Sequence, residues 1–132
     1  MDEDNFKTRR SVNVAGITHV SPIPAASRIK NVVMTGAIYG RDPGTQEIPR
    51  DAARQVKLMF ENLASIIAMS GADVSDIIKL TISVMSLDIR PLINEEWEAM
   101  FPDASARPAR HVIVYSHFTS PIVVGCEAYA VA

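Results

Sequence analysis

The chain has 132 residues, 48% hydrophobic and 21% charged, with a formal net charge of −2. That length and balance describe one globular domain with a real core and exclude global disorder, while the charge gives no electrostatic case for nucleic acid or an anionic membrane. The single cysteine, Cys126, permits no intrachain disulfide; with no apolar run near the roughly 18–20 residues of a membrane span and no apolar core in the first ten residues, the expectation is a cytoplasmic protein.

Residues 1–10 are polar and mixed in charge and read as a flexible arm, leaving 11–132 as a single domain. Val12 to His19 can hold one or two short strands broken at Gly16. Ser21-Pro22-Ile23-Pro24 reads as an extended loop, because two prolines remove two backbone donors. The run 31–38, Asn-Val-Val-Met-Thr-Gly-Ala-Ile, is nearly all apolar and predicts a strand buried on both faces, with Gly36 marking a bulge or a close backbone approach. Residues 40–44 form a turn by composition.

The clearest helix spans 51–70. Val56, Met59, Phe60, Leu63, Ile66 or Ile67, and Ser70 recur at steps of three and four, with Arg54, Lys57, Glu61, Asn62 and Ser65 largely outside that stripe and Gly71 in the place of a left-handed C-terminal cap. From 76 to 85, Ile78, Leu80, Ile82 and Val84 alternate with Lys79, Thr81 and Ser83, the period of a half-buried strand. A second helix starts near Asp88, its expected cap, tolerates Pro91 in its first turn and buries Ile89, Leu92, Ile93, Trp97 and Met100 or Phe101. Glu95, Glu96 and Glu98 read as its solvated face. Strands at 112–118 and 121–131 close the chain. The order predicts an α+β domain, one mixed sheet with both long helices on one face. Its strands are more apolar than one buried face requires, so the other face is expected to meet another subunit.

No glycine-rich phosphate loop, nucleophile elbow or metal-ligand spacing is present. His111 and His117 would lie about 20 Å apart along one strand, too far to share a metal. Cys126 shares its parity with Val124 and Ala128 and reads as a small buried hydrophobe. The remaining candidate is an anion site. Arg107-Pro108-Ala109-Arg110 places Arg110 where a stiff lead-in becomes a strand, and a guanidinium held that way matches a carboxylate. A surface salt bridge is the ordinary alternative for such an arginine. Gly125, Glu127 and Tyr129 share one face of the last strand, and Thr35-Gly36 offers a hydroxyl and open backbone. These groups outline a pocket if their strands are neighbours, within one subunit or across an interface.

Over about residues 17–131 the chain resembles the YjgF/RidA (UK114-like) family. The resemblance rests on Thr35-Gly36-Ala37-Ile38, on Gln55 and Asn62-Leu63, on Ser70-Gly71-Ala72, and on Asp76-Ile77-Ile78-Lys79-Leu80-Thr81. It continues through Asn94, Trp97 and Phe101, Arg107-Pro108-Ala109-Arg110, and Glu127-Ala128-Tyr129-Ala130. The resemblance implies a chorismate-mutase-like fold and a homotrimer with sites in clefts between subunits. It further implies hydrolysis of 2-imino or 2-enamino acids to 2-keto acids and ammonia, without metal or organic cofactor. By the same resemblance Arg110 grips the substrate carboxylate, and Thr35, Gly36 and Asn94 line the site. Deaminases of the family carry a glutamate two positions before the Glu-Ala-x-Ala glutamate, implicated in handling the attacking water. Here that position is Gly125, and Glu127 is the nearest carboxylate on the same strand face. The aromatic residue that these deaminases supply from the N-terminal loop has no clear counterpart in Ser21-Pro22-Ile23-Pro24. The alternative is a non-catalytic member that binds a small carboxylate for regulation. Ribonuclease roles attached to the family find no support in the charge of −2.

Overall fold

A computed structural model describes residues 7–132, so most of the expected N-terminal arm lies outside the described residues. The strands are β1 (Arg10–Val12), β2 (Ala26–Ile29), β3 (Val32–Thr35), β4 (Ile38–Tyr39), β5 (Ile77–Val84), β6 (Ala109–Val114) and β7 (Val124–Val131). The helices are α1 (Ala52–Met69) and α2 (Arg90–Met100). One mixed sheet runs β1-β2-β3-β7-β5-β6, with β4 paired to β7 beside β3. All its pairings are antiparallel except β5 with β6. Strand β2 is absent from the sequence reading. It completes a hairpin with β3 whose turn holds Lys30 at φ 52°.

Helix α1 forms because Val56, Met59, Phe60, Leu63, Ile66 and Ile67 make one buried stripe, and Gly71 ends it at φ 79°. Two polar residues share the stripe. Asn62, expected outside it, is buried, and its Nδ2 donates to the Tyr39 and Arg41 carbonyls, both at 2.9 Å. Buried Gln55 donates through Nε2 to Pro49 O at 2.8 Å and Pro121 O at 2.7 Å and accepts from Val123 N at 3.0 Å. Gln55 ties the helix to loop backbone and Asn62 ties it to the end of β4 and the residues after it, and burial of these amides is tolerated because their polar atoms are satisfied. At the other end, Arg28 Nη1 donates to Ser70 O at 2.9 Å.

The second helix has no side-chain cap of its own, since Ile89 holds its N-cap position, and the cap lies on the 3-10 turn before it. Ser86, not Asp88, accepts from the backbone, at Asp88 N, and a 3-10 turn over Leu87–Ile89 leads into α2 with Pro91 in its first turn. Ile93, Trp97 and Phe101 are its buried residues, while Ile89, Leu92 and Met100 are half-buried. Both helices contribute to one core with Val33, Leu80, Ile82, Val84, Val124, Cys126, Ala128 and Ala130, so they cover the same face of the sheet.

The other face is open in the single chain. Strand β3 is therefore not buried on both sides: Val33 and Thr35 point inward, whereas Met34 is 50% exposed. Strand β5 departs from strict alternation at its start. A bulge between Ile77 and Lys79 buries Ile77 and turns Ile78 outward, the reverse of the expected parity for Ile78. Strand β6 begins at Ala109, earlier than the expected Val112, because Ala109 already pairs with Lys79. It stops at Val114 because its partner β5 ends at Val84, so His117 and Phe118 lie in the following loop. No helix among the described residues is long and apolar enough to cross a membrane.

Candidate functional site

Arg110 is the second residue of β6 and pairs with Leu80 of β5, which in turn pairs with Ala128 of β7. Paired residues share a sheet face. Leu80 and Ala128 are buried under the helices, so Arg110 leaves the sheet on the helix side, at its edge. There it meets α2. Its Nη2 donates to Asn94 Oδ1 at 2.8 Å, and its guanidinium lies 5.1 Å from the centre of the Trp97 ring. Trp97 is held by an edge contact with Phe101 at 4.9 Å. Arg107 Nε donates to Phe101 O at 2.8 Å, which fastens the loop leading into β6. The fork is thus fixed on one nitrogen and stacked over an aromatic face, with its remaining donors available.

The charge environment argues against a structural salt bridge. Partial burial, then the neighbouring positive charge of Arg90, weaken the hold of Arg110 on its proton. No carboxylate among the described residues pairs with it. The one neighbouring charge that acts on Arg110, that of Arg90, is of its own sign. Arg90, Asn94 and Trp97 stand at i, i+4 and i+7 of α2, one helix face. The sequence reading named Asn94, assigned Trp97 to the core and did not single out Arg90; that spacing was the signal available.

The other expected site residues do not join Arg110 within one chain. Thr35 and Gly36 sit three strands away, about 14 Å at the usual strand spacing. The Thr35 hydroxyl is engaged in the fold, accepting from Ala128 N and donating to Gly36 O, both at 2.9 Å. Gly36 N donates to Ala25 O at 2.9 Å, and a Cβ at 36 would meet Ala25 O and Pro24 O only at 3.7 Å and 3.8 Å, so the close approach expected at this glycine is not present within the chain. Glu127 pairs with Thr81, one residue on from the Leu80 row, and so faces the open side of the sheet.

That open side carries its own cavity of ≈ 280 Å³, lined by Thr81, Ser83, Ile113 and Glu127 of the sheet and by Tyr39, Tyr115 and Phe118. Gly125 lies in its floor. Tyr39 pairs with Gly125 across β4 and β7, and its ring lies so close that a Cβ on Gly125 would stand 2.9 Å from Tyr39 Cε1. The three aromatic residues, none of them singled out from the sequence as site residues, come together because β6 ends at Val114 and the chain turns back over β4. Cys126, on the opposite face, is buried; desolvation and then the Glu127 charge push its thiol pKa upward, so it is no nucleophile. Among the described residues, no group of three or more histidine, cysteine or acidic side chains is placed to hold a metal ion.

The α+β domain thus offers a cationic, aromatic-backed fork at one sheet edge and a carboxylate-bearing hollow on its open face. Residues 12–132 match the endoribonuclease L-PSP family model, and the chain belongs to that family, also called YjgF/RidA. It is 28% identical to the 2-iminobutanoate/2-iminopropanoate deaminase of Escherichia coli K12 over 113 residues, 85% of this chain and 88% of that protein. The crystal structure of Escherichia coli TdcF with bound serine matches at TM-score 0.85 and 26% identity, covering 93% of this chain and 98% of that one. The Escherichia coli YjgF gene product matches at TM-score 0.84 and 26% identity, over 92% and 98%.

Proposed function

We propose that this protein hydrolyses reactive 2-imino and 2-enamino acids to 2-keto acids and ammonia in the cytoplasm, without metal or organic cofactor. The sites lie in clefts between the subunits of a chorismate-mutase-like homotrimer. The observation that carries this reading is Arg110: a guanidinium positioned by Asn94 and Trp97, next to Arg90 and without a carboxylate partner among the described residues. It would hold the substrate carboxylate through charge-assisted bonds.

The chemistry asks little more of the protein. The carbon of an imine is electrophilic, and protonation of its nitrogen increases this. Water adds to that carbon to give a tetrahedral carbinolamine. Collapse of the adduct forms the ketone and expels ammonia after the nitrogen takes up a proton. Fixing the carboxylate and the water in line supplies most of the acceleration, by removing orientational freedom. Glu127, with Thr81 beside it on the open face, is the group assigned to take and return the proton. Thr35 and Gly36 are assigned to the lining of the same cleft, Gly36 through its backbone and Thr35 by fixing Gly36 O and Ala128 N in place. Met34 and Val131, exposed on this face at 50% and 45%, supply apolar surface for the contact between subunits.

A second reading, a non-catalytic binder of small carboxylates, is favoured by Gly125, which lacks the carboxyl group that family deaminases place there. One experiment separates the two. An amino-acid oxidase with catalase generates 2-imino acids, and semicarbazide reports their decay with the protein or its Arg110→Ala variant. Acceleration lost in the variant supports the deaminase; no acceleration by folded protein that binds small carboxylates through Arg110 supports the binder.

A further inference from the structure

We infer that Tyr39, seated on Gly125 and flanked by Phe118 and Tyr115, forms an aromatic subsite for the substrate side chain, so that the protein prefers 2-imino acids with aromatic or large apolar side chains to small ones. This rests on the imine-deaminase reading and specifies its substrate class.

The subsite is a coupled construction. Tyr39 and Gly125 are cross-strand partners, and a Cβ at 125 would lie 2.9 Å and 3.0 Å from Tyr39 Cε1 and Cδ1. Real side chains do not approach this closely, so the ring has its seat only because residue 125 is glycine. Tyr39 then meets Phe118 edge-on at 6.4 Å and 87°, and Phe118 meets Tyr115 edge-on at 4.9 Å and 84°. Successive edge-to-face contacts make a corner in place of a flat stack, and that corner is one wall of the open-face cavity. Tyr115 is 45% exposed, so these rings are not filling a closed core.

The rest of the lining is mixed: Thr81 and Ser83 present hydroxyls and Glu127 a carboxylate, with exposed Ile113 beside Ser83. A ligand suited to both parts of the lining is amphipathic, with an apolar, preferably flat, body and a polar end. A 2-imino acid with a large side chain has that form, with the imine toward Glu127 and the side chain in the aromatic corner. A methyl side chain would leave the corner in water and gain nothing from it.

The test compares imines that one L-amino-acid oxidase makes from phenylalanine and leucine with those from alanine and 2-aminobutyrate. The expected result is a kcat/KM at least about tenfold higher for the large imines, the scale on which an apolar pocket discriminates. Phe118→Ala and Gly125→Ala should each collapse that ratio, the second by displacing the Tyr39 ring, while Tyr39→Phe should keep it. Equal or greater turnover of the small imines by folded wild-type protein overturns the subsite and leaves the deaminase reading standing. If no imine is turned over, the deaminase reading fails, and calorimetry with phenylpyruvate and pyruvate decides the subsite. Binding at least tenfold tighter for phenylpyruvate, lost in Phe118→Ala, sustains it; equal binding overturns it.

Discussion

Arg110 and Glu127 leave the sheet from opposite faces. Arg110 stands in the row of Leu80 and Ala128, under the helices, and Glu127 stands one residue along, opposite Thr81, on the open side. One small molecule cannot touch both within a single chain. If both act in one reaction, the site combines Arg110 of one subunit with Glu127 of another, and this can be tested without a structure of the assembly. Arg110→Ala and Glu127→Gln should each be inactive alone. When the two are unfolded together and refolded at equal amounts, about one quarter of sites should recover both native groups, so about one quarter of wild-type activity should return, as random mixing across a head-to-tail interface requires. No recovery from correctly mixed oligomers would place the two residues in separate roles.

Arg110→Lys should not rescue the site. The ammonium of lysine can neither offer a fork to a carboxylate nor stack as a plane on Trp97 while bonding Asn94. We expect kcat/KM to fall on the order of 10²-fold, the cost of misplacing a bound substrate. Asn94→Ala should give a smaller loss, carried mainly in KM. Steady-state rates on one imine decide both.

The apolar open face predicts an assembly, and the family resemblance implies that it is a trimer. Sedimentation should then find three chains per particle, and Met34→Glu, which puts a charge on that face, should shift the particle toward single chains and reduce activity with it. A monomeric wild-type protein with full activity would remove the composite site.

Gln55→Leu is a stability prediction distant from the chemistry. It strands the Pro49 and Pro121 carbonyls and Val123 N–H, which the buried amide now satisfies. The loss should be on the order of 3 kcal/mol, read as a lower urea midpoint at fixed protein concentration.

Asp73 gives the sign of one pH effect. The Ser75 hydroxyl and then its backbone N–H hold the Asp73 carboxyl below its ordinary value. The carboxylate therefore stabilises the fold above the unfolded carboxyl pKa of about 3.9 and stops doing so as pH falls through the lower folded value. Asp73→Asn should melt earlier than wild type at pH 7, and the difference should shrink steadily in acid. A difference that grows in acid would contradict the assignment.

Much of this was legible in local pattern. The α1 stripe from Val56 to Ile67, the inward parity of Leu80, Ile82 and Val84, and the matching parity of Val124, Cys126 and Ala128 are periodicities of two and 3.6, and periodicity depends only on neighbours along the chain. Arg110 was legible for the same reason, since the two residues before it stiffen its approach. The partners of those residues were not legible, because pairing is decided by residues far apart in sequence. Register against Leu80, and not the Pro-Ala lead-in, sends Arg110 to the helix side beside Asn94 and Trp97. One extra residue in β5 reverses Ile78. Asn62 and Gln55 read as polar and turned out to be buried braces, because the backbone groups they satisfy come from residues 39–49 and 121–123. The sequence by itself therefore determined the two helices, most of the strands and the inward faces of α1, β7 and the body of β5, and it pointed to Arg110. Only the tertiary structure decided which face Arg110 serves and that Gly125 makes room for Tyr39, since a side-chain direction is local while its company depends on long-range register.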